Sequence, residues 1–130
     1  MNSKTLIEKA IEAMAKSYSP YSDFKVGAAL LTKSGRVFTG CNIENASYSP
    51  TNCAERTAFF KAISEGEREF TAMAVVGGKN GEISSFCSPC GVCRQVMAEF
   101  CDKDFMIILF DGKLTKACSL EKLLPESFSL

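Results

Sequence analysis

The stretch FCSPCGVCRQ, from Phe86 to Gln95, carries a cysteine at every third position: Cys87, Cys90 and Cys93. A fourth, Cys53, stands two residues before Glu55 in NCAER. Thiols three residues apart on a helix share one face, and at a helix start the exposed backbone N–H groups favour the thiolate. If the two helix starts meet, Cys53 can join Cys90 and Cys93 around a metal. Zinc is the best candidate, because it accepts sulfur ligands tetrahedrally and three protein ligands leave one position open to water. Glu55 is then the nearby carboxylate that a hydrolytic site needs. Two other readings use the same residues. A CxxC pair also describes redox chemistry, which leaves Glu55 without a role. Cys87 as a fourth ligand closes the site to water and makes the zinc structural, in a noncatalytic binding module. The chain contains no histidine, so mechanisms that need imidazole are excluded.

The elements that must position these groups follow from composition and periodicity. A chain of 130 residues, 46% hydrophobic and 23% charged, is expected to form one domain over residues 1–130 with a single core. Basic and acidic residues number 15 each and no basic cluster occurs, which argues against a nucleic-acid partner. The N-terminal residues lack a signal-peptide pattern and no stretch has the ~18 apolar residues of a membrane span, so a cytoplasmic, membrane-free protein is expected. In a reducing compartment, seven closely spaced cysteines read as metal ligands or redox groups before disulfides.

Leu6, Ile7, Ala10, Ile11, Met14 and Ala15 recur at helical spacing, with Pro20 as the stop. FKVGAALLT and RVFTGCNIE read as a hairpin turning at Lys33, Ser34 and Gly35. CAERTAFFKAISEG predicts a helix closed by Gly66, and FTAMAVVGG predicts a strand covered on both faces. SPCGVCRQVMAEF predicts a third helix opened by Pro89, with Val92, Val96 and Phe100 along one face. DFMIILFDGKLTKACSL predicts two strands about Asp111 and Gly112, and EKLLPESFSL a short helix and tail. Alternating strands and helices predict an α/β sandwich with a mixed sheet.

With these residues in place, CAE followed by PCGVC resembles the zinc signature of the cytidine deaminase superfamily, in the branch where cysteine replaces histidine. YSDFKVGAALL, GCNIENASY, NCAERTA, SPCGVCRQ and LLPESF resemble segments of the small free-nucleoside deaminases in the same order, over nearly the whole chain. The resemblance implies a three-layer α/β/α sandwich around a mixed five-stranded sheet, one zinc ion per chain on Cys53, Cys90 and Cys93, and Glu55 as proton carrier. It implies that the chain deaminates cytidine and deoxycytidine to uridine and deoxyuridine. An aminonucleoside deaminase of the blasticidin S type is the alternative within the superfamily.

Further roles follow from the same resemblance. Arg56 is expected to hydrogen-bond the thiolates and offset their charge, with Gln95 holding it. Phe24 is expected to pack on the pyrimidine, Asn42 and Glu44 to bind the ribose, and Ala54 to contact the substrate. Taken singly, Phe24 would be a core aromatic and the other two loop polar groups. Tyr48 and Phe128 are expected to reach into neighbouring sites of a homotetramer, the phenyl ring covering the base. Cys87 stands where the family carries an aliphatic residue, and is read as a small buried side chain at a strand end. Cys41, Cys101 and Cys118 receive no role beyond packing.

Overall fold

The computed structural model describes residues 1–130 as four helices and five strands. In chain order these are α1 (Ser3–Met14), β1 (Phe24–Thr32), β2 (Val37–Cys41), α2 (Ala54–Ser64), β3 (Phe70–Lys79), α3 (Gly91–Phe100), β4 (Met106–Phe110), β5 (Thr115–Ser119) and α4 (Leu120–Leu123). The strands form one sheet in the order β2-β1-β3-β4-β5. Only β3 and β4 run parallel, joined by a crossover through α3, and the other neighbours are antiparallel.

The period of two along the strands divides the interior into two cores. Ala29, Ala72, Ala74, Val76 and Ile108 face one side, where Leu6, Ile7, Ala10 and Met14 of α1 cover them. Ala28, Leu30, Met73, Val75, Ile107 and Leu109 face the other, under Ala54, Ala58, Phe59 and Ala62 of α2 and Cys93 and Met97 of α3. Phe59 anchors this second core, with its ring centroid 5.2 Å from that of Phe70 and 6.0 Å from that of Phe105. The result is the three-layer arrangement around a mixed five-stranded sheet.

Two strand glycines set the helix-to-sheet distances. A Cβ on Gly27 would stand 2.0 Å from the Ala10 carbonyl oxygen of α1, and one on Gly40 would stand 2.4 Å from the Ala54 carbonyl oxygen of α2. The second contact seats the first turn of α2 on the edge strand β2 and thereby fixes where Cys53 and Glu55 lie.

The structure corrects the sequence reading at three places. Helix α1 ends at Met14, well before Pro20, and Ser17 to Asp23 form an irregular connection. Helix α3 begins at Gly91 with Cys90 as its N-cap, so Pro89 precedes the helix instead of opening it. Its buried residues are Cys93 and Met97, while Val92 is 58% exposed and Val96 and Phe100 lie half-buried at the rim. A helical period fixes spacing but not rotation, and the contact of Met97 and Cys93 with the Phe59 core sets the rotation here.

Gly40→Ala is expected to lower the unfolding free energy by about 1–3 kcal/mol, because the added methyl forces backbone to move. The same substitution is expected to reduce bound zinc. An unchanged urea midpoint together with unchanged metal content would show that α2 is not seated through this contact.

Candidate active site

Cys53 and Cys90 are the N-caps of α2 and α3, both with extended backbone, and neither side chain caps its own helix. Their thiols are therefore free to turn towards each other, and Cys93 follows in the first turn of α3. The three sulfurs all lie within 4.8 Å of one another. Cys53 Sγ is 3.8 Å from Cys90 Sγ, and Cys90 Sγ is 3.6 Å from Cys93 Sγ. Tetrahedral zinc–sulfur bonds of ~2.3 Å put neighbouring sulfurs about 3.8 Å apart, so this set fits one zinc ion. Cys87 is not in the cluster. It lies half-buried in the loop before α3, not at a strand end, and burial pushes its thiol up to about 12.

The cluster concentrates negative charge, and the surrounding groups answer it. Arg56 Nη2 donates to Cys53 Sγ at 3.2 Å. Desolvation works against the guanidinium charge, but hydrogen bonds to Cys53 and Cys93 outweigh it and raise the Arg56 pKa. The Cys53 thiol is lowered to about 5, first by a hydrogen bond from Cys93 and then, against the effect of burial, by Arg56. Cys93 is raised by donating that same hydrogen bond and by burial. A metal binding both sulfurs takes them as thiolates, so its uptake releases protons. Arg56 Nε is buried without a hydrogen-bond partner, and no hydrogen bond joins Gln95 to it.

Glu55 is 4% exposed in the first turn of α2 and forms no ion pair. Burial, reinforced by the Cys53 charge and opposed by Arg56, raises its carboxyl to about 7. A carboxyl so placed can both take and return a proton near neutrality. Ala54, between Cys53 and Glu55, is wholly buried.

A second group of residues lies where β1 begins and β2 ends. The Phe24 ring and the Cys87 thiol lie over Gly77, 3.1 and 2.9 Å from where its Cβ would stand, and Cys87 in turn feels the charges of Glu55 and Cys53. Asn42 Oδ1 accepts from the Val26 N–H at 2.9 Å and from the Ser17 hydroxyl, while its Nδ2 donates to the Phe24 carbonyl at 2.8 Å. Glu44 Oε1 accepts the N–H groups of Tyr21 and Ser22 at 2.9 and 3.2 Å, and Oε2 accepts the Ser22 hydroxyl. Phe128 stands apart from both groups, whereas Tyr48 lies in the loop that runs from Glu44 to Cys53. Tyr48 is 78% exposed, and Phe128, 69% exposed, lies with Ala98 and Cys101 at the far end of α3 from Cys93.

Sequence reasoning passes over three residues that hold the site. Ser17 and Ser22 support Asn42 and Glu44 as described. Arg94 donates from Nε to the Pro89 carbonyl and from Nη1 to the Leu123 carbonyl, both at 2.7 Å, tying the residue before Cys90 to the end of α4. Arg94 lies inside the quoted motif, but its partners are backbone carbonyls that no side-chain pattern announces.

Residues 1–109 match the family described as "Cytidine and deoxycytidylate deaminase zinc-binding region". The chain is 50% identical to a cytidine deaminase of Sporosarcina psychrophila over 99% of its own length and 93% of the relative's. A blasticidin-S deaminase of Bacillus cereus is 33% identical, over 95% of this chain and 90% of that protein. Among solved structures, the cytidine deaminase from Burkholderia pseudomallei superposes with a TM-score of 0.91 at 49% identity, covering 98% of this chain and all of that one.

Metal analysis of two cysteine variants checks the ligand set. Cys90→Ala is expected to lose zinc, whereas Cys87→Val is expected to keep about one zinc per chain, as three-sulfur coordination requires. Zinc retained by the first and lost by the second would mean that Cys87 is the ligand.

Proposed function

The chain belongs to the cytidine and deoxycytidylate deaminase zinc-binding family, and from that premise we propose that it hydrolyses free cytidine and deoxycytidine to uridine and deoxyuridine, releasing ammonia. The observation that carries this reading is the convergence of Cys53, Cys90 and Cys93 beside the buried, unpaired carboxyl of Glu55. A closed structural site of four cysteines does not explain a positioned acid, and Cys87 lies outside the cluster. The greater identity to a cytidine deaminase, 50% against 33%, favours this substrate over an aminonucleoside antibiotic.

Zinc held by Cys53, Cys90 and Cys93 would supply an acidified water as nucleophile. Glu55 takes one proton from that water and delivers it to the ring nitrogen next to the carbon bearing the amine. The water oxygen bonds to that carbon, which becomes tetrahedral. Glu55 then carries the second proton to the amine, the carbon–nitrogen bond breaks, and ammonia leaves. Water and cytidine are consumed, and uridine and ammonia are produced. Arg56 serves by cancelling charge: three thiolates and one zinc ion leave a single negative charge, which the guanidinium offsets.

The unused hydrogen-bond capacity of the second group supports sugar recognition. Asn42 keeps one N–H free, and Glu44 Oε2 keeps one acceptor position. One donor and one acceptor match a single hydroxyl, so a sugar lacking its second hydroxyl strands no protein group, which favours acceptance of both nucleosides. The Glu44 charge and the net charge of zero disfavour phosphorylated or polymeric substrates. Phe24 supplies an aromatic wall for the ring.

The same reading extends to assembly and location. Tyr48, Phe128, Phe60 of α2 and Val92 of α3 are all exposed, and a homotetramer with shared sites gives them a use. Seven free thiols suit a reducing cytoplasm, and no helix is long and apolar enough to cross a membrane.

Two experiments test these proposals. Glu55→Gln is expected to retain zinc and to lose ammonia release from cytidine by ~100-fold to ~10,000-fold; a variant with wild-type turnover would remove Glu55 from the chemistry. Sedimentation is expected to give a species of four chains, and deletion from Ser127 onward to raise KM while zinc stays bound. A fully active monomer would refute the shared site.

A further inference from the structure

Ser22 lies between two residues assigned to substrate contact, Phe24 and Glu44, and its hydroxyl is engaged with both, as acceptor and as donor. The oxygen accepts the Phe24 N–H at 3.0 Å, and the single hydroxyl proton goes to Glu44 Oε2. The Ser22 N–H donates to the other carboxylate oxygen, Oε1, at 3.2 Å. Asp23, which follows Ser22, holds a left-handed φ of 56°, and this turn brings the Phe24 N–H back onto the serine oxygen. The turn is pinned from outside: the Asp23 N–H donates to the Ser19 carbonyl at 3.0 Å, and the Asp23 carbonyl accepts the Asn80 N–H at 2.8 Å.

We propose that Ser22 is a positioning residue for the nucleoside, fixing the direction from which Glu44 accepts the sugar hydroxyl and the place of Phe24 relative to it. The inference rests on the reading of Glu44 and Phe24 as sugar and base contacts. Its physical basis is a count of lone pairs. With the Ser22 proton on one side of Oε2, the remaining acceptor direction on that oxygen is set, and a substrate hydroxyl meets a prepared geometry. The hydrogen bond from the Ser22 hydroxyl is also the first cause holding the Glu44 carboxyl below its ordinary range, followed by the Tyr21 and Ser22 N–H groups and nearby Lys25. A carboxylate kept ionised remains an acceptor. Serine is suited to this place because one small side chain must accept from backbone and donate to a carboxylate at once.

Steady-state kinetics of Ser22→Ala, Ser22→Thr, Glu44→Gln and the Ser22→Ala/Glu44→Gln double variant test the proposal. Ser22→Ala is expected to raise the KM for cytidine ~3- to 10-fold with kcat within about twofold, since a charge-assisted hydrogen bond is lost but the reacting groups are untouched. Zinc content is expected to stay at that of the wild type. Ser22→Thr, which keeps the hydroxyl, is expected to restore KM. In the Glu44→Gln background, Ser22→Ala is expected to add less than about twofold, because both changes act through one carboxylate. Wild-type KM in Ser22→Ala would overturn the proposal and leave the deaminase reading intact. An effect of Ser22→Ala that persists in full without Glu44, or that Ser22→Thr does not rescue, would also overturn it. A wild-type protein without turnover would sink the deaminase reading and this inference with it.

Discussion

Three thiols brought within 4.8 Å of one another are the constraint on which the rest of the molecule depends. As thiolates they repel, and no covalent link holds them, since all seven cysteines are free. Cys53 and Cys90 occupy helix N-caps, where backbone N–H groups point towards them, and Arg56 places a guanidinium against Cys53 at 3.2 Å. A divalent ion completes this compensation. Residues that cap helices elsewhere are usually Ser, Thr, Asp or Asn, whose oxygens bond the helix they start. Two cysteines that leave their own helices uncapped turn those positions over to metal binding.

The sheet exists to bring the two N-termini together and keep them there. Close seating of α2 against Gly40 and the crossover through α3 between the parallel strands β3 and β4 aim both helices at one place. Both helices pack into the Phe59 core, and α3 is held in addition by the Arg94 bridge from Pro89 to Leu123. Glu55 then falls inside the fold by helical geometry, two residues beyond Cys53, and its burial follows from the packing that seats α2. The connection from Ser17 to Asp23 and the start of β1 are hung from Asn42 and Glu44 on the other side, so the groups proposed for sugar binding are also the groups that order the segment carrying Phe24.

Much of this architecture is legible in the amino-acid sequence, for identifiable reasons. The period-two strands, the turns at Gly35 and Gly112 and the cysteine spacing are local signals, and each reappears where expected. The family resemblance adds what spacing cannot supply, namely that two distant helix starts meet. The rotation of α3 is not legible, because Val92, Val96 and Phe100 form as regular a stripe as Cys93 and Met97, and tertiary contacts choose between them. Ser22 and Arg94 escape a reading of side-chain patterns because their partners include backbone groups whose positions depend on the whole fold. Tyr48 and Phe128 are 78% and 69% exposed in the single chain, so their packing there does not define a role for them.

X-ray absorption at the zinc edge of the purified protein probes the metal set most directly. The expected result is three sulfurs at about 2.3 Å and one oxygen at about 2.0–2.2 Å, the shell of an open site held by Cys53, Cys90 and Cys93. A shell of four sulfurs with no oxygen would contradict it, since a zinc closed by a fourth thiolate has no position for the water that the proposed reaction requires.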